Sequence, residues 1–379
     1  MGNIFGCSTK EIRHKLHRNP EISGSEDQTA AYIAGLLGKV SDMTVYRDIG
    51  MHGVIGVKRY GEGPAVGFRA ELDALPVEEE SDADHKSQNE GISHACGHDG
   101  HMAMVLQALQ NLENAKTKRG TAVFFFQSAE ETGEGAEAMI GALTEKDLDI
   151  PELKACLALH NIPGEEKGIM VLRRGTFACG SSGIEVTVTG RTAHAAHPED
   201  AVNPLNVSVK IISYAEDLPK DREDIFSLST SIALKAGERT FGTTPKKAVL
   251  LLTVRSEDKA HLKKMMDCIG AEANILSREA GANSETEYHE YFPPTVNDDF
   301  FEAAREACEK AGLKTEDKDH PFRWSEDFAW FSEKYPTFYA GIGSGLNQPA
   351  LHAPDFDFPD ELIEKGGNYY AEMYKILTR

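Results

Sequence analysis

Apolar residues follow two spacings along this chain, one typical of buried strands and one typical of helices. The segment 121–127 contains the continuous run Val123-Phe-Phe-Phe126, in which apolar and polar positions do not alternate. Such a run is typical of a strand that is covered on both faces of a sheet. Apolar residues recur at helical spacing through residues 102–112. Further strands are predicted over residues 54–57, 65–72, 153–159 and 337–342.

A helix is predicted near the start of the chain. Ser25 and Gln28 have the spacing of a capping box, in which two side chains satisfy free N–H groups at the start of a helix. Strands then alternate with helices through much of the sequence. This alternation predicts an α/β fold with a doubly wound, mainly parallel sheet, whose functional site lies beyond the carboxyl ends of the strands.

The middle of the chain has a different order of elements. Residues 182–292 follow the pattern strand, helix, strand, strand, helix, strand, which is the βαββαβ order of a ferredoxin-like unit. We therefore expect an inserted domain at residues 182–292, and a discontinuous main domain formed by residues 1–181 and 293–379.

Composition and charge exclude several classes of protein. The 379 residues are 40% hydrophobic, and no apolar run approaches the roughly 20 residues of a membrane helix. The formal net charge of -21 disfavours binding to nucleic acid or to an anionic membrane. The six cysteines are dispersed without a Cys-x-x-Cys pair, and the N-terminal sequence lacks a signal-peptide pattern. We therefore expect a cytoplasmic protein with reduced thiols.

The segment 94–101 concentrates groups that bind metals. Its sequence, His94-Ala-Cys96-Gly-His98-Asp99-Gly-His101, holds one thiol, three imidazoles and one carboxylate. Cys96 and His98 are predicted ligands, because thiolate and neutral imidazole bind zinc and similar metals well. Asp99 is predicted to orient a ligating histidine through a hydrogen bond. The segment supplies too few ligands for a complete site, so others must come from elsewhere in the chain.

Further candidates follow predicted strands. Glu130 and Glu131 follow the Phe-rich strand, and His160 and His352 follow two others. Five ligands in all suit two divalent metals, roughly 3.5 to 4 Å apart, which activate water and stabilise an oxyanion. Glu131 is predicted to be a ligand and Glu130 the general base, because neighbouring side chains at a strand end diverge. The ligand types favour zinc, while mixed carboxylate and imidazole sites also accept manganese, cobalt or nickel.

These residues lie in motifs that resemble metallopeptidase family M20, and within it the amidohydrolase branch of aminoacylases, hippurate hydrolases and auxin-conjugate hydrolases. The resemblance extends through nearly the whole chain. The matching motifs are His17-Arg-Asn-Pro20-Glu21, Arg69-Ala-Glu71-Leu-Asp73-Ala-Leu-Pro76, the segment 94–101, Gln127-Ser-Ala-Glu-Glu131, Ala158-Leu-His160-Asn161, Gly190-Arg-Thr-Ala-His194-Ala-Ala196, Ser325-Glu-Asp-Phe328 and Leu351-His352-Ala-Pro354.

The resemblance implies the hydrolysis of N-acyl amino acids, which are small molecules, at a pair of divalent metals in the main domain. It implies that Asp73 supports the ligands from outside, that Glu130 moves the proton, and that His194 polarises the substrate carbonyl. It also implies that the inserted domain is a lid and the interface of a homodimer, with His194 serving its own chain or a neighbour's. The metal ligands that it implies are those chosen above from residue type: Cys96, His98, Glu131, His160 and His352.

Some points stay open after this comparison with the family. Glu71 lies where the family commonly has Asp, and Gly242 replaces an Asn used near the substrate, so we expect an unusual substrate preference. The ligand that bridges the metals is unassigned. Arg255 is predicted to bind a substrate carboxylate, with a structural salt bridge as the alternative. The alternative functions are a dipeptidase or carboxypeptidase with the same metals and, more distantly, a non-catalytic metal-binding scaffold.

Overall fold

The computed structural model describes residues 3–116, 118–221 and 224–379, and the chain forms two compact units. The first unit comprises Met1–Phe177, Thr295–Asp319 and Asp327–Arg379, and the second comprises Ala178–Pro294 and His320–Glu326. Residues 320–326, which the sequence pattern assigns to the main domain, belong to the second unit, where the N–H of Cys179 donates to Phe322 O at 3.0 Å. Among the described residues, no helix has the length and hydrophobicity needed to span a membrane.

The helices and strands are numbered in chain order. The helices are α1 (Thr9–Arg18), α2 (Asp27–Leu37), α3 (His98–Glu113), α4 (Gly135–Glu145), α5 (Pro204–Asp217), α6 (Lys259–Glu279), α7 (Phe301–Lys310), α8 (Ala329–Ser332) and α9 (Glu361–Leu377). The strands are β1 (Met43–Tyr46), β2 (Val54–Arg59), β3 (Ala65–Glu71), β4 (Thr121–Gln127), β5 (Leu153–Pro163), β6 (Met170–Leu172), β7 (Gly175–Ala178), β8 (Gly180–Thr189), β9 (Ser227–Ala236), β10 (Lys247–Ser256), β11 (Asn283–Phe292), β12 (Thr295–Asn297), β13 (Thr315–Asp317) and β14 (Thr337–Gly345).

The first unit is built on an eight-stranded sheet with the strand order β1-β2-β4-β3-β5-β14-β6-β13. Its centre is parallel, because β3 pairs with β4 and β5, and β14 pairs with β5. β2 pairs antiparallel with both β1 and β4, and β14 pairs antiparallel with β6. Every residue of β3 and β4 is buried, as expected of strands covered on both faces. The predicted mainly parallel sheet is confirmed, with antiparallel strands added outside its centre.

Aromatic residues and glycines join this sheet to its helices. Phe68 of β3 stacks on Phe124 of β4 with ring centroids 5.3 Å apart, and Tyr370 of α9 meets Phe68 edge-on at 5.4 Å. α9 also packs against α3. The approach is so close that a Cβ on Gly366 of α9 would collide with the side chain of Met104. This packing anchors α3, whose first turn carries part of the predicted site.

The start of the chain corrects one prediction. The N-cap residue of α2 is Glu26, which makes no capping hydrogen bond with its side chain, so the predicted capping box of Ser25 and Gln28 does not form. The carboxylate of Glu21 instead accepts the N–H groups of Gln28 and Thr29, at 3.2 and 2.7 Å. A carboxylate from the preceding segment thereby satisfies free N–H groups at the start of the helix.

The second unit contains one antiparallel sheet, in the order β11-β8-β10-β9, packed with α5 and α6. Along the chain these elements follow the order β8-α5-β9-β10-α6-β11. Alternate residues of β8 and β10 are buried in a common core, among them Ile184, Val186 and Leu250. One face of the sheet is therefore covered by the helices. The predicted action of this unit as a lid stays a prediction.

Candidate metal centre

The carboxyl ends of the central parallel strands carry the predicted site. Asp73 follows β3, and Glu130 and Glu131 follow β4. His160 lies within β5, which continues to Pro163 instead of ending before the histidine. These side chains therefore lie at the edge where a doubly wound sheet is expected to have its site.

A tight turn before α3 holds Cys96 close to His160. Gly97, the N-cap residue of α3, has a φ of +93°, and a Cβ at this position would collide with Asn161 Oδ1. Only glycine fits a left-handed conformation at so close an approach. The turn leaves Cys96 Sγ 3.5 Å from His160 Nε2.

Two of the histidines are oriented by main-chain carbonyl groups. His98 Nδ1 donates to Asp73 O at 2.9 Å, and His160 Nδ1 donates to Asn161 O at 2.8 Å. Because a carbonyl oxygen only accepts, each neutral ring carries its proton on Nδ1 and presents the lone pair of Nε2. Histidines that bind metals are commonly held in this way. His98 Nε2 is buried and has no hydrogen-bond partner.

Glu131 and His352 complete the set of predicted ligands. Glu131 Oε1 lies 3.5 Å from His352 Nε2 and 3.8 Å from His98 Nε2, and it is buried without a hydrogen-bond partner. The main chain of His352 has a φ of +67°, and its N–H donates to Ala95 O at 2.8 Å. This bond ties the loop of His352 to the turn that carries Cys96.

Glu130 and Asp73 lie beside these ligands and have different contacts. Glu130 is buried, and its Oε2 lies 3.8 Å from His98 Nε2. Asp73 Oδ1 lies 3.3 Å from His98 Nδ1, while Oδ2 accepts the N–H of Glu131 at 3.0 Å and the hydroxyl of Ser23 at 2.7 Å. Asp73 thus contacts two predicted ligands. This arrangement suits a residue that orients metal ligands by hydrogen bonds without binding the metal itself.

Negative charge exceeds positive charge among these buried groups. Burial, together with the charges of Glu131 and Glu130, raises the pKa of the Cys96 thiol. Burial alone would lower the pKa of His98, but the hydrogen bond that it donates to Asp73 and the charges of Glu71, Asp73 and Glu131 raise it to about 10. Both shifts have the sign expected where carboxylates surround a buried thiol and a buried imidazole.

The donor atoms fit divalent metal ions. Thiolate, imidazole and carboxylate together suit zinc and neighbouring transition metals, and a metal would explain the unpartnered Nε2 of His98 and Oε1 of Glu131. Three overlapping groups have their donor atoms within 4.8 Å of one another: Cys96 with His98 and His160, Cys96 with Glu131 and His352, and His98 with Glu130 and Glu131. We refer to these residues as the metal centre: Cys96, His98, Glu130, Glu131, His160 and His352.

Asp99 lies in a different cluster from the one predicted. Its Oδ2 accepts from Arg13 Nε at 2.7 Å and from His17 Nδ1 at 2.9 Å, so it orients these side chains instead of a metal ligand. Arg13 also donates to Asp357 and Asp360. Consecutive residues of a helix point in different directions, which is why Asp99 faces away from its neighbour in sequence. We refer to these five residues as the Arg13 cluster.

The two outer histidines of segment 94–101 are buried and differ in their contacts. His101 Nδ1 lies 2.7 Å from Glu71 Oε2, and its Nε2 lies 2.7 Å from Asn161 Oδ1. Both nitrogens of His94 are buried without a hydrogen-bond partner, and burial lowers its pKa to about 3. His94 is therefore neutral, and His101 links Glu71 to the residue that follows His160.

Three residues around the site have no recognisable signal in the sequence. Arg13 contacts Asp99, Ser23 contacts Asp73, and the carboxylate of Glu26 accepts the N–H of Ala129 at 2.7 Å. The spacing of Arg13 and His17, four residues apart on α1, does place them on one helical face. Their partners are distant in sequence, so no local pattern identifies them.

His194 and Arg255 belong to the second unit. His194 lies after β8, where its Nδ1 accepts the N–H of Ala196 at 3.0 Å, and its contact with substrate stays a prediction. Arg255 of β10 donates to Arg323 O at 3.0 Å and to Ser325 Oγ at 2.9 Å. Within the described ranges Arg255 has no carboxylate partner. It therefore does not form the structural salt bridge that was the alternative to substrate binding.

The chain matches known proteins along most of its length. The model of peptidase family M20/M25/M40 matches residues 67–375. The hippurate hydrolase of Campylobacter jejuni is 32% identical over 379 residues, covering 96% of this chain and 95% of the relative. The N-acetyl-L-cysteine deacetylase of Bacillus subtilis is 30% identical over 370 residues, covering 97% of this chain and 87% of the relative.

A plant enzyme and a solved structure extend this likeness. The IAA-amino acid hydrolase ILR1-like 4 of Arabidopsis thaliana is 29% identical over 378 residues, covering 96% of this chain and 84% of the relative. The crystal structure of the YXEP protein of Bacillus subtilis, a dinuclear metal-binding peptidase from the M20 family, matches with a TM-score of 0.84 at 26% identity. That match covers 98% of this chain and 97% of the solved one.

Proposed function

Since this chain belongs to peptidase family M20/M25/M40, we propose that it hydrolyses the amide bond of N-acyl amino acids. Its family and its hydrolase relatives identify it as a metal-dependent amidohydrolase, and the substrate class is the step that we add. Three relatives are a hippurate hydrolase, an N-acetyl-L-cysteine deacetylase and an IAA-amino acid hydrolase. Their names refer to amides in which an acyl group is joined to an amino acid.

The observation that carries the proposal is a set of five donor residues at one edge of the sheet, three of them buried, with a second carboxylate beside it. Glu131 Oε1 lies within 3.8 Å of two histidine nitrogens, and Glu130 is its direct neighbour in the chain. One carboxylate can therefore bind metal while the other moves a proton. Such a division of roles is what the hydrolysis of an unactivated amide requires.

Five residues of the metal centre would hold two divalent ions, either zinc or manganese, with cobalt and nickel as alternatives. Two of the donor groups, one containing His160 and the other His352, share Cys96, which supports a pair of ions. When bound, the ions lower the pKa of water and stabilise negative charge on the carbonyl oxygen of the substrate. The residues that would hold them are Cys96, His98, Glu131, His160 and His352.

Glu130 would act first as a general base and then as a general acid. Its carboxylate takes a proton from the attacking water and passes that proton to the nitrogen of the departing amino acid as the amide bond breaks. This transfer lets the amino acid leave as a neutral amine. General acid–base catalysis of this kind contributes typically about 10²- to 10⁴-fold to the rate.

We propose that two residues of the second unit contact the substrate. His194 donates to the carbonyl oxygen of the amide, and Arg255 binds the carboxylate of the amino acid. The partners of Arg255 among the described residues are neutral, so its charge remains available for a bidentate bond to a carboxylate.

An Arg255→Met variant should raise KM for N-acyl amino acids far more than for their carboxamides. An equal change in KM for both substrates would show that Arg255 does not bind the carboxylate.

We also propose a homodimer formed through the second unit. β9 lies at an edge of its sheet and bears Ile232, which is 59% exposed. An exposed strand edge with an apolar side chain can pair with a second copy of the same strand.

Light scattering should give the mass of a dimer for the native chain and the mass of a monomer for Ile232→Lys. A monomeric native chain would rule the dimer out.

The substrate class is tested by a panel of compounds. Acetyl-, benzoyl- and indoleacetyl-amino acids are compared with unblocked dipeptides, using enzyme supplied separately with zinc, manganese, cobalt or nickel. We expect the highest kcat/KM for a member of the N-acyl group. Faster turnover of the dipeptides would replace the proposal with a peptidase, because a peptidase of this kind recognises a free α-amine.

The role of Glu130 is tested by Glu130→Gln, which preserves shape but cannot accept the proton. We expect kcat to fall by about 10²- to 10⁴-fold, while elemental analysis finds the native metal content. Undiminished activity in this variant would exclude Glu130 as the general base.

A further inference from the structure

A buried carboxylate outside the metal centre contacts the turn that carries Glu130. Glu26, at the start of α2, is 0% exposed. Its Oε1 accepts the N–H of Ala129 at 2.7 Å and the N–H of Gly24 at 3.0 Å, whereas Oε2 is buried without a hydrogen-bond partner. Burying a carboxylate is unfavourable, so this position indicates a specific need for its oxygen.

The turn itself has a main-chain conformation that requires support. Ala129 is fully buried and has a φ of +53°, in the left-handed region that alanine rarely adopts. A residue keeps such a conformation only where its surroundings determine it. The buried N–H of Ala129 also needs an acceptor, and Glu26 supplies one. The carbonyl of Ala129 accepts the N–H of Gly135 at 3.1 Å, so both sides of the residue are bonded.

A second carboxylate holds the other side of Glu130. Asp73 Oδ2 accepts the N–H of Glu131 at 3.0 Å and the hydroxyl of Ser23 at 2.7 Å. Residues 21–26 therefore support both sides of Glu130. Glu26 accepts the N–H of Ala129, which precedes Glu130. Ser23 donates to Asp73, which accepts the N–H of Glu131. This segment is tied to the loop that follows β3, where the N–H of Ala74 donates to Glu21 O at 2.8 Å.

We propose that Glu26 is a positioning residue for proton transfer by Glu130. It fixes the peptide that precedes Glu130 and thereby the direction of the Glu130 side chain. Asp73 fixes Glu131 independently, so metal binding does not depend on Glu26. This inference rests on the proposed role of Glu130, and it predicts a defect in turnover that is separate from metal content.

Three variants test the proposal by kinetics. Glu26→Ala should lower kcat by about 10- to 100-fold, because small errors in the position of a reacting group cost up to about 10²-fold. Its KM should stay within about threefold of the native value, as expected when an interaction acts on the transition state alone, and elemental analysis should find the native metal content. Glu26→Gln should retain most of kcat, because its Oε1 can accept the same two N–H groups.

Glu21→Ala is the matched control. Glu21 belongs to the same segment and also accepts two main-chain N–H groups, those of Gln28 and Thr29, but neither of these bonds involves the turn at 128–131. This variant should lower the melting temperature and leave kcat unchanged. If Glu21→Ala lowers kcat as much as Glu26→Ala does, or if Glu26→Gln is as slow as Glu26→Ala, the positioning role is wrong.

A crystal structure of Glu26→Ala tests the inference without any substrate. We expect Ala129 to leave the left-handed region and the carboxylate of Glu130 to move, while Asp73 and Glu131 keep their contact. An unchanged turn would overturn the inference. If instead the native enzyme turns over no N-acyl amino acid, the proposed function fails, and the structures of the Glu26 variants still decide whether Glu26 holds the turn.

Discussion

The metal centre and the Arg13 cluster are both built around fully buried side chains, both combine histidine with carboxylates, and both take residues from segment 94–101. They differ in how negative charge is balanced. In the Arg13 cluster one guanidinium donates to three carboxylates, those of Asp99, Asp357 and Asp360. In the metal centre, buried atoms of His98 and Glu131 have no hydrogen-bond partner. The first cluster contains its own cation, whereas the second is arranged to receive one.

Distance alone does not distinguish the two clusters. His17, His85 and Asp357 also bring their donor atoms within 4.8 Å of one another, as metal ligands would. Both nitrogens of His17 are already engaged, however, by Asp99 at 2.9 Å and by Glu79 at 3.2 Å, and Arg13 donates to Asp357. The histidine nitrogens therefore distinguish the two clusters, because His98 Nε2 in the metal centre is buried without a hydrogen-bond partner.

The largest effect should come from Cys96→Ala, which removes a donor shared by two groups of the metal centre. We expect loss of bound metal and a fall in turnover of at least the roughly 10²- to 10⁴-fold contribution of general base catalysis, since Glu130 has no activated water without the ions. Elemental analysis and kcat measure both effects. Native metal content in Cys96→Ala would mean that this thiol is not a ligand.

Arg13→Met should show the opposite behaviour, with a large loss of stability and bound metal retained. The substitution removes the guanidinium that the three carboxylates share, and breaking a buried ion pair such as the one with Asp99 typically costs about 3–5 kcal/mol. Urea unfolding of the metal-loaded protein measures the change. If the loss is below about 1 kcal/mol, the Arg13 cluster does not depend on its own cation and the contrast with the metal centre fails.

The charge of His17 should make the Arg13 cluster sensitive to pH. Burial alone would lower the pKa of His17, but the charge and hydrogen bond of Asp99 and the hydrogen bond of Glu79 raise it from 6.5 to about 9. Because the folded pKa is the higher one, the stabilisation is complete below about 6.5 and is lost as pH rises through about 9.

The test measures the free energy of unfolding in urea for the native chain and for His17→Gln between pH 6.5 and about 9, at one metal concentration. The difference between the two free energies should shrink as pH rises. Effects of pH on the metal centre are common to both chains and cancel in this difference. An advantage that stays constant across the range would contradict a protonated His17.

The smallest effect should come from Lys10→Ala, the matched control for Arg13. Lys10 also pairs with Asp360, at 3.0 Å, but its side chain is 60% exposed. An exposed ion pair typically contributes about 0.2–1 kcal/mol, so unfolding by urea should change little. If Lys10→Ala loses as much stability as Arg13→Met, burial does not explain the different contributions of the two cations.

The central strands and the edge that carries the site were predictable from the sequence. Largely apolar runs predicted β4 and β5, because a strand covered on both faces has no polar side. The carboxyl ends of parallel strands meet at one edge, so Glu131 and His160 were expected to lie near each other. The spacing of Cys96 and His98 before a helix added the remaining local signal.

The contacts around this edge were not predictable. The capping box of Ser25 and Gln28 has the right spacing, yet Glu21 holds those N–H groups. Asp99 lies beside His98 in the sequence, yet its partners come from α1. Hydrogen bonds between residues far apart in the chain leave no periodic pattern, because only the packed fold brings the two groups together.

Three features could be predicted from the amino-acid sequence: the parallel centre of the sheet, the order of elements in the second unit and the residue types able to bind metal. These follow from local hydrophobic periodicity and from the chemistry of single side chains. Tertiary structure alone decided which buried charges are paired, by placing Arg13 against Asp99 and leaving His98 Nε2 without a partner. Charge balance in a buried site depends on all neighbours in space, and the chain order does not contain that information.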